Sequence, residues 1–473
     1  MKRPILLWFR RDLRLADHEA LNEACAAGAP VIPVFICDDI VEGLGAAPQW
    51  RLGLGVEDFA KTLSAKGSKL ILRKGPALSV LREFVAETGA AAVYWSRAYD
   101  PQSIARDKAV KSGLLDDGIE AKSFKGHVLF EPWTIETKTG GFYKVYSPFW
   151  RAVAHAELAA PLPAPNTIAA PADWPESDEI AGWGLGARMN RGAGIVADHV
   201  IVGEDAAAKR LSAFLRGRID DYAKLRNFPA TPGTSRLSEN LTYGEISPRV
   251  VWHSAQDGLR RGAPGAETFA KELVWREFAY HLLYHTPHIV TDSWRPEWQS
   301  FPWEVGDSEE ATAWTRGETG VEIVDAGMRE LYVTGYMHNR VRMIVGSYLT
   351  KNLMTDWRVG LRWFEDCLID WDPASNALGW QWVAGSGPDA APYFRIFNAD
   401  TQAEKFDKNG VYRTMFLPGV DGTCGPLAQK FYDAVPVSWR LNPARYRKLP
   451  HVDLKRGRQR ALDAYHAFKE PTV

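Results

Sequence analysis

Cysteine is scarce. Cys25, Cys37, Cys367 and Cys424 are scattered through 473 residues, and none forms a Cys-x-x-Cys pair. That argues against a disulfide scaffold and against structural zinc or any other metal site, and it fits a reducing cytosol. An excess of either charge is also missing. Lys and Arg total 57 against 58 Asp and Glu, a net charge of -1. The chain as a whole is therefore no electrostatic binder of nucleic acid, and DNA contact would need a local basic patch. No apolar stretch approaches the roughly 18 residues of a membrane span. The first apolar run, 5–9, is followed at once by Arg10, Arg11, Asp12 and Arg14, which is not the pattern of a signal peptide. No Gly-x-Gly-x-x-Gly follows that run, so no dinucleotide site is expected there. Gly53-Leu54-Gly55 is expected in a later loop. No internal repeat is visible.

Tryptophan is abundant, with 19 residues in a chain that is 46% hydrophobic. The length suggests about three domains. Short apolar runs at 4–9, 31–37, 69–73 and 91–95 alternate with helical patterns at 18–27, 56–66 and 78–88, which predicts a parallel, doubly wound α/β sheet. Five prolines between 161 and 175 break any long element in a connector expected over 131–200. From 201 the periodicity is helical, with apolar residues at i, i+3, i+4 over 267–285, 323–333, 338–349 and 359–369. The expected fold is a doubly wound α/β domain over 1–130, the connector, and a larger all-α domain over 201–473.

The stretch 370–398 is the densest in chemistry. Trp371, Trp380 and Trp382 are interleaved with Asp370, Asp372, Ser375, Asn376 and Gln381. Stacking faces beside spaced polar groups suit a large, flat ligand with polar edges, although a Trp-rich helical core has the same composition. Thr234-Ser235-Arg236-Leu237-Ser238 follows Pro232-Gly233 and precedes an expected helix. Hydroxyls, free N–H groups and an Arg suit a pyrophosphate; they also describe an ordinary N-cap with a surface Arg. Further blocks are Leu7-Trp8-Phe9-Arg10-Arg11-Asp12-Leu13-Arg14-Leu15, Trp275-Arg276-Glu277-Phe278, and Gly335-Tyr336-Met337-His338-Asn339-Arg340-Val341-Arg342-Met343. Together, and in this order, the five blocks resemble the photolyase/cryptochrome family over nearly the whole chain. Within it, they resemble a bacterial cyclobutane-pyrimidine-dimer photolyase, of the class nearest plant cryptochromes.

The resemblance implies FAD, active in its reduced form, in the all-helical domain. Tyr222, Thr234, Ser235, Arg236, Leu237, Ser238, Phe269, Arg276, Asn339, Arg342, Asp370, Asp372 and Asn376 would line its site. Arg342 would pair with Asp370. Asn376 would face the reactive edge of the isoalloxazine, where its amide can donate or accept. Plant cryptochromes place Asp there and animal ones commonly Cys, so Asn favours an enzyme holding reduced, anionic flavin. Unaided, the same Asn reads as a helix-terminal residue. Photoreduction of a buried flavin needs short hops to the surface. The resemblance nominates Trp380, then Trp357, then Trp303, with Trp298 as the rival for the third place; core packing is the commoner role of buried tryptophan.

A pyrimidine dimer has to leave the base stack to reach a flavin. Glu272, Trp275 and Arg276 share a helix face. Trp275 and Trp382 would form aromatic walls, and Glu272 would hydrogen-bond the dimer. Arg226, Asn339, Arg340, Met343 and Gln402 would serve the pocket and the DNA rim. The plainer reading is an amphipathic helix with an intrahelical ion pair. Repair of the (6-4) photoproduct uses a His pair four residues apart. Asn339 and Met343 stand at those positions and cannot act as acids near neutral pH. His338 is adjacent but points about 100° away around a helix. A cyclobutane dimer needs only an electron. A basic group, Arg445, Arg447, Lys448, Lys455, Arg456, Arg458 and Arg460, would track phosphates or form a solvated tail.

The first domain resembles the family's antenna module. Folate-binding relatives often place Asn-Glu before Ala-Arg-Asp. Here Gln102 and Ser103 precede Ala105-Arg106-Asp107, and His18 replaces the Asn common in the opening motif. Methenyltetrahydrofolate is the first expectation for a second chromophore, a deazaflavin or ribityllumazine the second, and an empty pocket the third. The absence of a long polar tail favours an enzyme over a signalling cryptochrome, the alternative reading. The expected partner is UV-damaged DNA, met by a monomer in the bacterial cytosol, nucleoid-associated on damage, with no membrane and no obligate protein partner.

Overall fold

The computed structural model describes residues 2–306, 308–389, 394–446 and 449–469. Five parallel strands form one sheet: β1 (Ile5–Phe9), β2 (Val31–Cys37), β3 (Ile71–Lys74), β4 (Ala92–Ser96) and β5 (Glu120–Phe124), in the order β3-β2-β1-β4-β5. β1 lies at the centre and is buried throughout. It pairs Ile5 with Val31 on one side and with Ala92 on the other. The β-branched and aromatic runs read as strands are strands. The fifth escaped notice because its burial alternates: Glu120 and Lys122 are exposed, as on a sheet edge.

Helices α1 (Glu19–Ala26), α2 (Ala46–Ala65), α3 (Ala77–Thr88) and α4 (Pro101–Asp116) supply the crossovers. Asp100 caps α4 by accepting from Ser103 N–H, with Pro101 at the first helical position. α2 begins ten residues before its apolar period starts at 56, so Gly53-Leu54-Gly55 lies inside a helix and not in a loop. The reason is close packing. A Cβ on Gly53 would stand 3.2 Å from Leu185, and one on Gly55 3.0 Å from Leu13. In the proline-rich connector the longest helix is α5 (Tyr146–Val153).

Backbone contacts divide the chain into two units. Unit 1 holds 1–187, 201–222 and 235–287. Beside the sheet it carries α6 (Glu204–Gly217), the short α7 (Ser238–Thr242), α8 (Pro248–Arg260) and α9 (Ala266–His285). A buried ion cluster joins α2 to residues 239–245 within this unit. Arg51 of α2 reaches Glu239 at 2.6 Å and Glu245 at 2.7 Å. Burial alone would push the Arg51 guanidinium down; Glu245 and Glu239 outweigh that and hold it raised. Unit 2 holds 188–200, 223–234 and 288–473 and is helical. It contains α10 (Glu322–Thr334), α11 (Asn339–Ser347), α12 (Trp357–Cys367), α13 (Pro373–Ala384), α14 (Ala399–Phe406) and α15 (Leu454–Lys469). α15 is anchored, not a loose tail: Leu454 and Ala461 are buried, and Arg460 donates to Asn352 O at 2.8 Å. Arg447 and Lys448 lie outside the described residues.

Candidate functional site

In unit 2 one turn decides the site. Gly335 ends α10 with φ +66, a left-handed cap that suits glycine. A Cβ there would stand 2.5 Å from Ile369. The Gly335 carbonyl accepts from Ile369 N–H at 2.8 Å, which pins the chain just before Asp370 beside the start of α11. Arg342, on the first turn of α11, then meets Asp370 at 2.8 and 3.0 Å and also donates to Met337 O. The expected pair forms. Burial works against the Arg342 charge, and Asp370 more than compensates. His338 caps α11 by accepting from Arg340 N–H through Nδ1. Its Nδ1 thus serves the backbone.

Asp372 caps α13, accepting from Ser375 N–H at 2.8 Å. Asn376 sits inside the first turn and is therefore not the terminal residue of the helix. Its Nδ2 donates to Leu361 O at 3.1 Å. A carbonyl can only accept, so this contact fixes the amide orientation. The Asn376 oxygen and second N–H are left for a ligand. These residues fit FAD: a buried ion pair, a half-buried amide with both polarities on offer, and capped backbone around them.

Trp380 lies four residues beyond Asn376 on α13. Its indole rests on Gly360 of α12 so closely that a Cβ would come within 2.0 Å. Phe364 and Trp314 box it, with centroids 5.0 and 6.0 Å away. Trp357 is fully buried and lies one turn before Gly360 on the same face. Trp303 comes next through a backbone bridge: Glu304 N–H donates to Met354 O at 2.8 Å, and Asp356 N–H donates to Glu304 O at 3.1 Å. Trp298 stacks on Trp303 at 6.3 Å. All four indole N–H groups are buried without an acceptor among the described residues.

The rim residues of unit 2 also converge. Arg340 donates to Asn227 Oδ1 at 2.6 Å and lies over Phe406 at 4.5 Å. Asn227 follows Arg226, and Phe406 is one turn from Gln402 on α14. Met343 sits under Arg340, with sulfur 3.5 Å from Nη1. Asn339 is exposed at the start of α11, and Trp382 is half-buried 6.1 Å from Phe397.

In unit 1, Tyr222 and Phe269 meet edge to face at 5.7 Å, joined by Phe214. The loop leading to α7 places Arg236 at φ +53, a strained conformation for a non-glycine residue. Its carbonyl accepts from Arg210 at 2.7 Å. The N-cap of α7 is Leu237, with no side-chain cap bond, so the ordinary N-cap reading of this loop fails. The division of units falls between Thr234 and Ser235. On α9, Glu272 is half-buried. Arg276 donates to Glu277 at 3.0 Å and to His127 at 3.1 Å, over the Tyr280 ring. Burial pushes Glu277 up to about 7 against the pull of Arg276. Trp275 lies flat on Tyr146, centroids 3.7 Å apart.

At the carboxyl ends of the strands, Arg106 pairs with Asp38 at 2.8 Å, and Asp107 with Arg10 at 3.0 Å. His18 caps α1 and lies 2.8 Å from Asp12. Burial would raise the Asp12 carboxyl, but His18 and Arg10 hold it well below the usual carboxylate range.

Sequence reasoning missed Gly360, Phe364, Tyr146, Asn227 and Lys351. Lys351 is buried, donates to Ala384 O, and sits 3.6 Å from the Phe394 ring. Burial pushes its amine well below the ordinary lysine value. A lysine at the end of an apolar pattern reads as exposed, so no local signal marks it.

The chain and its fold have known relatives. Residues 5–166 match the family model described as DNA photolyase, and 269–467 match the FAD binding domain of DNA photolyase. A deoxyribodipyrimidine photo-lyase of Agrobacterium fabrum is 45% identical over 99% of both chains. Cryptochrome-2 of Arabidopsis thaliana is 34% identical over 88% of this chain and 71% of its own. A crystal structure of a bacterial class III photolyase from Agrobacterium tumefaciens superposes with TM-score 0.91 at 44% identity, covering 99% of this chain and 98% of that one. Among the described residues no helix is long and apolar enough to cross a membrane.

Proposed function

The chain belongs to the DNA photolyase family and carries out light-dependent, FAD-dependent DNA repair as a deoxyribodipyrimidine photo-lyase, and we propose how its residues divide that work. Reduced FAD, when bound and illuminated, supplies the electron that splits the two C–C bonds of a cyclobutane pyrimidine dimer.

Arg342 and Asp370, with Asp372, Asn339, Thr234, Tyr222, Ser235, Arg236, Leu237, Ser238, Phe269 and Arg276, are the residues assigned to the cofactor. Asn376 meets the edge of the ring system with its uncommitted oxygen and N–H, so it can serve either protonation state there. Trp380, Trp357 and Trp303 pass an electron inward from the surface when the cofactor arrives oxidised. Short hops favour this path because tunnelling falls exponentially with distance. Trp275 and Trp382 wall the extruded dimer, Glu272 hydrogen-bonds it, and Arg226, Arg340 and Gln402 hold phosphates while Asn339 and Met343 touch the lesion. The substrate is double- or single-stranded DNA bearing the dimer, bound by a monomer in the cytosol.

A second chromophore is proposed for the α/β domain at 1–130, methenyltetrahydrofolate first and a deazaflavin or ribityllumazine second. Support for the folate is reduced by Arg106 and Asp107, which are already engaged with Asp38 and Arg10.

The single observation that carries the reading is α13. It offers the free polar groups of Asn376 and, one turn on, the indole of Trp380 seated on Gly360. The test is illumination of purified flavin-loaded protein with an oligonucleotide bearing one cyclobutane dimer. Restored pyrimidine absorbance in light and none in the dark is expected. Bound flavin that photoreduces without repair would transfer the reading to a cryptochrome-like photoreceptor.

A further inference from the structure

Helix α9 carries Trp275 on one face and grips the connector on another. Glu277 accepts from Leu129 N–H at 2.5 Å and Phe130 N–H at 3.3 Å. One turn on, His281 accepts from Tyr143 N–H at 3.0 Å through Nε2, and its Nδ1 lies 3.2 Å from Pro132 O. After another turn, His285 reaches the same Pro132 carbonyl at 3.1 Å and stacks on Phe142 at 4.7 Å. Three side chains at i, i+4, i+8 thus hold 129–143 against the helix. This segment ends where α5 begins, with Tyr146.

Tyr146 is the result of that grip. Its ring lies parallel to the Trp275 indole, 3.7 Å between centroids at 5°. Its hydroxyl donates to Lys271 O at 2.7 Å, one turn before Trp275 on the same helix. The edge of Phe278 closes the stack, 5.9 Å from both rings. Tyr146 is 7% exposed, while Trp275 is half-buried. One face of the indole is therefore covered, and a base can stack only on the other.

We infer that Tyr146 is a positioning residue for lesion recognition: it fixes the plane of Trp275 and leaves it a single open stacking face. The inference rests on the reading of Trp275 as a wall of the lesion pocket. A free indole on a helix surface samples several rotamers, and ordering it on binding costs affinity. An indole already sandwiched on one side presents its free face in one orientation. An extruded dimer gains from that order, whereas stacked, undamaged bases never reach the face. The effect belongs to discrimination between damaged and undamaged DNA and leaves electron transfer untouched.

The test is a double-mutant cycle on the flavin-loaded enzyme at fixed salt. Affinities for dimer-containing and undamaged duplex are measured for Tyr146→Leu, Tyr146→Phe, Trp275→Ala, and Tyr146→Leu combined with Trp275→Ala. Tyr146→Leu is expected to weaken dimer binding about fivefold to tenfold, the lower part of the range for a stacking aromatic. Undamaged duplex and the single-turnover repair rate at saturating DNA stay unchanged. Tyr146→Phe keeps the stack and retains wild-type discrimination. In the combined variant, Tyr146→Leu adds nothing to Trp275→Ala. Additive losses, or a Phe variant as weak as the Leu variant, would overturn the inference. An unaffected Tyr146→Leu beside a damaged-specific loss in Trp275→Ala overturns it while leaving the lesion pocket standing. Equal losses on both duplexes in Trp275→Ala remove the pocket reading and the inference with it. If the Leu variant does not fold, Tyr146→Met takes its place in the cycle.

Discussion

At the scale of single residues, Gly360 and Trp380 form one contact with two consequences. The indole occupies the volume in which a side chain at 360 would stand, 2.0 Å from the would-be Cβ. Gly360→Ala must push the ring aside or bend α12. It should cost about 1–3 kcal/mol, as overpacking does in a filled core, read as a lower denaturation midpoint. It should also slow photoreduction, because the displaced indole lengthens a hop. Trp380→Phe separates the two effects. It should block photoreduction of oxidised flavin outright, at a stability cost comparable to that of Gly360→Ala, while repair persists if the flavin is reduced chemically beforehand. Normal photoreduction in that variant would mean that another residue supplies the electron. Both helices, α12 and α13, belong to unit 2.

At the scale of elements, buried charge ties segments together that hydrophobic packing alone would leave in several registers. Arg51 is fully buried and serves two carboxylates, with Asn240 donating to Glu245 at 2.6 Å. Arg51→Met would leave Glu245 buried with only the Asn240 amide, while Glu239 keeps Arg210 at 3.3 Å. A loss of about 3–5 kcal/mol is expected, the usual cost of removing one partner from a buried pair. Urea denaturation of the variant checks this, and a change under 1 kcal/mol would show that water enters the cluster. Flavin content after purification should fall in parallel, because 235–245 includes the loop with strained Arg236. The three gripping residues of α9 also tie distant segments together, through hydrogen bonds to 129–143.

At the scale of the whole molecule, two groups on α9 shape stability against pH from opposite sides. Burial pushes Glu277 up to about 7 from 4.5. For a raised pKa the contribution is complete below about 4.5 and is lost as pH rises through 7. His281 is pushed down to about 4 from 6.5 by burial and by the nearby His285. For a depressed histidine the contribution is present above about 6.5 and is lost as pH falls through 4. The two windows, about 4.5–7 and about 4–6.5, overlap with opposite slopes, so the two contributions largely offset each other and the denaturation midpoint should change little across them through these groups. Glu277→Gln should unmask a midpoint that rises with pH from about 4 to 6.5, since its amide oxygen still accepts from Leu129 and Phe130. His281→Asn should unmask one that falls with pH from about 4.5 to 7. Midpoints measured from about pH 4 to 8.5 in the two variants test the assignments, and pH profiles that match the parent protein would place the titrating groups elsewhere.

The sequence alone determined what period and composition encode. Alternating apolar runs and helical stretches specify a parallel sheet with crossovers, because burial on both faces demands continuous β-branched strands. The five ordered blocks identify the family, because cofactor chemistry restricts residue types at fixed spacings. β5 was not legible, since an edge strand needs no apolar face. Gly53 and Gly55 misled, since glycine signals a turn locally and a close packing contact only when the opposing side chain is known. Only the tertiary structure decided the rest: that Gly335 pins Asp370 beside Arg342, that Gly360 yields its side-chain volume to Trp380, that Lys351 is buried, and that Tyr146 lies on Trp275. Each joins residues far apart in the chain. Their pairing is fixed by which surfaces meet after folding, and no local propensity carries that information.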